Sequence, residues 1–426
     1  MSAHEAASGM HETILKDIAA KLPVSPNARK RRIWIACLVV GVIALAYLFM
    51  VNPTRAWGAY AINVIFWLGI AQAGVVLAAA IRLTNGRWAG PIMRIGESLS
   101  AFLPIGIALM VVLLAGGIWS LLPWTHHVEP RQAPYLNVPF LWIRTLGGLL
   151  LFWWLASRLV NISLRADAQL LKPHVPESLR AAYEKLTAGW RGDAEEAQWQ
   201  RHELAHLSPQ VVLTFVVFFS VMSWDFIMSI TPEWISALFG WYVYAAAFLT
   251  GVCMTAFLAT QVRSKYRLEA YITPNHFWDI GKVIFAFAIF WVYLFWSQYL
   301  PIWYSNLPEE TGFVFLRMEQ PWRPWAFAVF VMIFAIPFLG MLNKTSKSNP
   351  FLLAMFTVLI MSGVWLERHV LVMPSLNPDA VWIGLGEVGV GIGFMGLFGW
   401  AVQGFLTKFP SVKVVDVLSA YGGNGH

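Results

Sequence analysis

Residues 33–51 read IWIACLVVGVIALAYLFMV, an uninterrupted apolar run without a charged side chain. Its length is that of one helical crossing of a lipid bilayer, which takes about 20 predominantly apolar residues. The run follows the basic segment 29–32 and lies too far from Met1, without an A-x-A site, to be a cleaved signal peptide. It is therefore predicted to be the first membrane span.

Further apolar runs of similar length follow along the chain. They are 58–81, 99–122, 140–163, 207–230, 238–262, 276–299, 322–342, 350–366 and 380–405. The composition agrees, because 58% of the 426 residues are hydrophobic and only 12% are charged, about half the ~25% charged fraction of a soluble domain. The sequence predicts an all-α polytopic membrane protein with about ten transmembrane helices.

The predicted spans divide the chain into an N-terminal tail at 1–32, four spans at 33–163, a charged helical loop at 164–206, six spans at 207–405 and a C-terminal tail at 406–426. The side that carries both termini holds 24 of the 30 Lys and Arg once six are assigned to the other side. Those six are Arg55, Arg131, Arg144, Arg317, Arg323 and Arg368. By the positive-inside rule both termini are expected in the cytoplasm.

The cysteines and histidines supply no ligand set for a redox centre. Cys37 and Cys253 lie singly in apolar runs, and none of the ten histidines lies mid-span, where a b-type haem needs its axial ligands. We expect no cofactor, metal site or catalytic residue in this chain. The net charge of +7 fits basic loops that face anionic lipid head groups, so membrane lipids and not nucleic acid are the expected partners.

Charged groups inside a span cost about 2.5–3.5 kcal/mol each at the helix centre, so they are the candidates for function. His276, Asp279 and Lys282 open the seventh span at i, i+3 and i+6. The same helical stripe continues to Tyr293 and Ser297. It predicts either a proton-entry site on the cytoplasmic side or a capped helix start with an interfacial ion pair.

Two more spans carry a carboxylate. In the fifth span Thr214, Asp225 and Ser229 share one face, and Asp225 is predicted to transfer protons or contact quinol, unless the nearby loop simply hydrates it. In the tenth span Glu387 lies among glycines that favour close helix packing. A carboxylate at that depth needs either a partner or a proton, so Glu387 is a further proton-pathway candidate.

Charged residues near helix ends have a structural explanation as well as a functional one. Glu309 and Glu310 follow the seventh span on the outer side and lie either at a proton exit or in the cap of the next helix. Six others are expected to be snorkelling or paired interfacial groups. They are Glu97, Arg144, Arg158, Glu367, Arg368 and His369.

Several segments resemble a known family. Residues 276–282 (HFWDIGK), 295–311 (FWSQYLPIWYSNLPEET) and 223–229 (SWDFIMS) resemble the NrfD-like membrane subunits of bacterial alternative complex III, and in particular the ActF-like one. The resemblance extends from about residue 207 to residue 374, whereas the first four spans match only in apolar pattern and length.

The resemblance implies two four-helix bundles, spans two to five and six to nine, with the first and last helices flanking them. It implies a subunit of a quinol:cytochrome c, or other acceptor, oxidoreductase in the bacterial inner membrane. The expected partners are an iron–sulfur/molybdopterin-like subunit, multihaem cytochrome c subunits and a second NrfD-like subunit. Those partners hold the haem c and iron–sulfur clusters, and this chain is implied to conduct protons through Asp225, His276, Asp279 and Lys282, with quinol as its one potential ligand.

Two other classes of function remain open. Membrane carboxylates and glycine-rich helices also occur in secondary transporters, although this chain lacks matched pairs of Gly/Pro-broken spans. A passive anchor that only docks redox subunits is the third interpretation. It would leave Asp225, Asp279 and Glu387 free to vary without effect on turnover.

Overall fold

The computed structural model describes residues 3–22 and 28–422. It is 82% helical, with fifteen helices and no strand in the described residues. Ten of the helices are long and apolar enough to cross a membrane. The fold is therefore that of an all-α polytopic membrane protein, as the hydropathy pattern predicts.

The ten long helices are α2 (Ala28–Val51), α3 (Pro53–Leu83), α4 (Gly90–Leu121), α5 (Val138–Leu171), α7 (Asp193–Phe226), α8 (Phe239–Lys265), α9 (Pro274–Ser305), α11 (Arg323–Gly340), α13 (Pro350–Leu376) and α14 (Leu385–Leu406). The shorter helices are α1 (Ala3–Ala20), α6 (Glu177–Thr187), α10 (Pro308–Met318), α12 (Lys344–Ser348) and α15 (Val414–Gly422). One π-helical turn interrupts α4 at Leu113–Gly117 and another interrupts α11 at Val331–Ala335.

The charged segment predicted at 164–206 is mostly a continuation of two spans. The helix α5 runs on to Leu171, and α7 begins at Asp193, so both project beyond the apolar core, with α6 between them. The structure brings α1 and α15 into contact with each other and with α5. We call this side of the molecule the terminal side, and the opposite side, which carries α10, the α10 side.

The centre of the molecule is the crossing of α3 and α8. Both helices are almost wholly buried, and they are rich in alanine and glycine. A Cβ atom added to Gly251 on α8 would lie 2.3 Å from the Cβ atom of Ala73 on α3. Small residues allow this close backbone approach, which is a common way for membrane helices to associate.

Two four-helix bundles meet at this crossing. In the first, α3 packs on α4 and α7, and α5 closes the ring between them. In the second, α8 packs on α9 and α13, and α11 closes the ring. This arrangement confirms the predicted pair of bundles formed by spans two to five and six to nine.

The flanking helices α2 and α14 pack along each other on the outside of the bundles. A Cβ atom added to Gly393 would lie 2.6 Å from the Cα atom of Gly41, so only glycine fits on both helices at that point. This contact confirms the prediction that glycines in the tenth span allow close helix packing, and the neighbouring helix is α2.

We expect Gly393→Ala to lower the free energy of unfolding by about 1–3 kcal/mol, because the backbone atom of Gly41 cannot move away from the added methyl group. The matched control is Gly404→Ala on the same helix, where an added Cβ atom meets nothing within 4 Å. There the gain in helix propensity predicts unchanged or slightly higher stability. Thermal denaturation in detergent measures both variants, and equal melting temperatures would contradict the packing role of Gly393.

Candidate functional site

A large cavity lies in the second bundle, at the α10 side. Its volume is about 700 Å³. The cavity is bounded by the ends of α8, α9, α11 and α13 and is covered by α10. Its wall is mainly aromatic and includes Trp234, Phe239, Tyr242, Trp291, Phe295, Trp296, Tyr299, Phe313, Phe327 and Phe330.

The cavity borders the lipid-facing surface between α9 and α11. The Ile336–Gly340 segment of α11 packs against α9, the Val331–Ala335 segment contacts both α9 and α13, and the Arg323–Phe330 segment packs against α13. Two wall residues on these helices, Trp296 and Phe327, are 51% and 67% exposed. The cavity wall therefore includes side chains that reach the outer surface of the helix bundle.

A buried carboxylate, Glu367 on α13, lies in the cavity wall and is 2% exposed. Trp291 Nε1 donates a hydrogen bond of 2.7 Å to Glu367 Oε1, and the Tyr242 hydroxyl interacts with the same carboxylate. Arg368 Nη1 lies 3.2 Å from Oε2 and forms an ion pair with it. Apart from this ion pair, Oε2 has no hydrogen-bond partner of good geometry among the described residues.

The expectation that Glu367, Arg368 and His369 are interfacial groups is wrong in one respect. They are paired, but all three are at most 2% exposed and lie inside the protein. The reason is that α13 continues to Leu376, beyond the predicted end at residue 366, and packs between the two bundles. Arg368 Nη2 accordingly donates to the backbone oxygen of Val243 on α8 at 2.9 Å.

A buried cation, Arg317, lies in the cavity wall on α10. Its guanidinium donates to the backbone oxygen atoms of Phe313 at 2.7 Å and Leu371 at 2.5 Å, and to Ser375 Oγ at 2.9 Å. Among the described residues no carboxylate forms an ion pair with it. Burial lowers the pKa of Arg317 to about 9, so the group still carries its positive charge at neutral pH.

The predicted proton-pathway residue Asp225 is buried in the first bundle, where it pairs with Arg144. Arg144 Nη2 lies 2.7 Å from Asp225 Oδ1, Arg144 Nε donates to Oδ2 at 2.8 Å, and the Tyr135 hydroxyl donates to Oδ1 at 3.0 Å. Arg144 was expected at the interface, but it is buried because the 123–137 connection folds over it. Thr214 and Asp225 both border a small cleft, and Ser229 accepts a hydrogen bond from Trp124 Nε1 at 3.1 Å.

We expect Asp225→Asn to lower the free energy of unfolding by about 3–5 kcal/mol, because it leaves the buried Arg144 guanidinium without a counter-charge. The double variant with Asp225→Leu and Arg144→Met removes both charges and is expected to recover most of that loss. Thermal denaturation of the three proteins measures the effect. A fully stable Asp225→Asn protein that loses proton uptake would instead support the proton-transfer role.

Glu387 on α14 is also a buried carboxylate with an arginine partner. Arg55 Nε donates to Glu387 Oε1 at 2.5 Å, and Arg55 Nη2 donates to Oε2 at 3.0 Å. Glu387 Oε2 also accepts from the backbone nitrogen of Gly384 and so caps α14. From the sequence, Glu387 required either a partner or a proton. The structure supplies Arg55, at the start of α3 on the α10 side, as that partner.

The stripe on α9 faces away from the bundle. Asp279 and Lys282 form an ion pair of 2.7 Å, and His276 Nδ1 accepts from the backbone nitrogen of Thr273, so the helix start is capped. Tyr293 is 62% exposed and Ser297 is half-buried. These residues run from the terminal side along the outer surface of α9, and the structure does not bring them together with Asp225 or Glu387.

Glu309 and Glu310 lie in the first turn of α10, where negative charge stabilises the helix. Glu310 Oε2 accepts from Ser305 Oγ at 3.4 Å. A role for any of the predicted residues in proton transfer stays a prediction. Searches against protein-family models and against curated proteins find no match to this chain.

Proposed function

We propose that this chain is a membrane subunit of a quinol-oxidising complex similar to alternative complex III and that it interacts with quinol in the aromatic cavity. The observation that carries the proposal is the cavity of about 700 Å³ with a buried carboxylate, Glu367, in its wall. Ligand sites of this kind are mostly apolar, with a few polar groups that orient the ligand. A quinol has the matching chemistry, since it joins an aromatic diol to a long apolar tail.

The cavity offers each part of a quinol a suitable surface. Aromatic side chains such as Trp291 and Phe313 pack on a flat ring with favourable geometry. Trp296 and Phe327, which reach the outer surface of the helix bundle, mark where the tail would extend into lipid. Each two-electron oxidation of a quinol releases two protons. Glu367 is positioned to accept a proton, and the Tyr242 hydroxyl beside it is positioned to relay one by donating its own to Glu367.

The electrons of the quinol must pass to partner subunits, because the redox centres are proposed to lie in those subunits and not in this chain. The resemblance of residues 223–311 to NrfD-like subunits supports iron–sulfur/molybdopterin-like and multihaem cytochrome c partners and a second NrfD-like subunit. It also supports a bacterial inner membrane, and the positive-inside rule supports both termini in the cytoplasm. In that orientation the cavity opens near the outer surface, and protons released there leave on that side.

The alternative of a passive anchor draws support from the buried ion pairs. Asp225 and Glu387, two of the carboxylates that suggest proton transfer, are each neutralised by an arginine. Such pairs can be purely structural. The passive-anchor hypothesis and the quinol-site hypothesis therefore make different predictions for Glu367. They make the same prediction for Asp225 and Glu387.

The test is purification through an affinity tag on this chain in mild detergent, with subunit masses and haem and iron spectra recorded. Copurifying haem and iron–sulfur subunits that oxidise a quinol would support the complex. A quinone analogue with a photoreactive group is expected to label residues of α9, α10 or α11 around the cavity. A colourless chain that purifies alone and is not labelled would overturn the proposal and favour a transporter.

A further inference from the structure

Two histidines on the terminal side stand outside the proposed quinol site. Residues 202–206 read HELAH and lie in α7, just before the helix enters the apolar core at Leu207. His202 and His206 are four residues apart, which places them one above the other on the same helix face. Both side chains are exposed, and their Nε2 atoms are 3.2 Å apart.

That separation matches the spacing of two nitrogens bound to one metal ion. A divalent ion with Zn–N bonds of 2.0–2.1 Å and tetrahedral angles holds two imidazole nitrogens about 3.3 Å apart. The ring centroids are 4.5 Å apart and the ring planes meet at 63°, and rotation of the two exposed side chains would direct both Nε2 lone pairs at one ion. In the metal-free chain the two Nε2 atoms share a hydrogen bond, and a metal ion bound to both would require the donor imidazole to carry its proton on Nδ1 instead.

We propose that His202 and His206 bind one divalent transition-metal ion of the zinc class through their Nε2 atoms. Neutral imidazoles favour Zn²⁺, Ni²⁺ and Cu²⁺ over Mg²⁺ and Ca²⁺, which prefer oxygen ligands. The site is open to water on its remaining sides. It therefore takes up and releases the metal readily and does not bury it as a permanent structural ion.

The sequence H-E-x-x-H also occurs in zinc peptidases, but this site lacks their other parts. In those enzymes the glutamate acts as general base, and a third protein ligand completes the site. Here Glu203 Oε2 is paired with Arg158 Nη2 at 3.2 Å. Among the described residues, no group of three or more His, Cys, Asp or Glu is placed to hold a metal ion. The site binds a metal and does not hydrolyse peptides.

The test uses the full chain, purified in detergent through a tag without histidines and stripped of metal with a chelator. Zn²⁺ is titrated against a coloured chelator, and Cu²⁺ binding is followed by electron paramagnetic resonance. The variants are His202→Ala and His206→Ala. The matched control is His127→Ala, which alters an exposed histidine on the other side of the molecule. Circular dichroism checks that each variant keeps its helix content.

We expect one equivalent of Zn²⁺ in the wild type and the His127→Ala control, and affinity lower by at least about tenfold in each α7 variant. The Cu²⁺ spectrum is expected to show two coordinating nitrogens in the wild type and at most one after either substitution. Mg²⁺ should not compete. Unchanged affinity in His202→Ala and His206→Ala, or a two-nitrogen signal that persists in them, would overturn the proposal. Neither result bears on quinol oxidation, because the cavity lies on the other side of the protein.

Discussion

Glu367→Gln is expected to lower quinol oxidation by the assembled complex by about 10²-fold or more, the usual effect of removing a general base. Glutamine has nearly the same shape and can keep the hydrogen bond that Trp291 Nε1 donates to the side-chain oxygen. It cannot accept a proton from a quinol or from Tyr242. The steady-state rate with a soluble quinol measures the effect in the purified complex.

The matched control is Glu319→Gln, which changes an exposed carboxylate at the end of α10, on the same side but outside the cavity wall. We expect its rate to equal that of the wild type. Glu367→Gln must also retain its partner subunits and its thermal stability, so that loss of assembly is separated from loss of proton transfer. A stable, assembled Glu367→Gln complex with unchanged turnover would show that the subunit is a passive anchor at this site.

Ala326→Trp is expected to raise the KM for quinol by about tenfold or more, which corresponds to about 1.4 kcal/mol of binding free energy. Ala326 lies on α11 in the cavity wall, and a tryptophan there would occupy volume that the proposed ring needs. The cavity of about 700 Å³ is large enough to receive the indole without displacing the helices. Steady-state kinetics at several quinol concentrations separate an effect on KM from an effect on kcat.

The comparison variant is Ala328→Trp, two residues further along α11 and similarly half-buried, but outside the cavity wall. It imposes the same change in side-chain size on the same helix. Equal KM values for both tryptophan variants and the wild type would place the quinol elsewhere in the complex. A raised KM in both variants would point to a distortion of α11 and not to occupation of the cavity.

The buried charges show how differently similar carboxylates are used. Asp225 and Glu387 each have an arginine that binds both carboxylate oxygens. Glu367 has a hydrogen bond on one oxygen and a longer contact with Arg368 on the other. Because a tightly paired carboxylate is stabilised in its charged form, Glu367 is better suited than the other two to exchange a proton with a ligand.

The membrane fold was predictable from the sequence because hydropathy is a local property. Each of the ten spans is a predominantly apolar stretch long enough to cross a bilayer, and a helix satisfies its own backbone hydrogen bonds there. The ion pair of Asp279 and Lys282 was also predictable, since residues three apart on a helix are neighbours. The alternation of spans further placed both termini on one side, where α1 and α15 meet.

The candidate site depended on which helices are neighbours, and that only the tertiary structure decided. Arg144 pairs with Asp225 over 81 residues, Arg55 with Glu387 over 332, and Trp291 with Glu367 over 76. The helical period shows which residues share a face of one helix but not which other helix that face meets. The packing of small residues in α3 and α8 sets those contacts, and it thereby encloses the aromatic cavity and buries Glu367 in its wall.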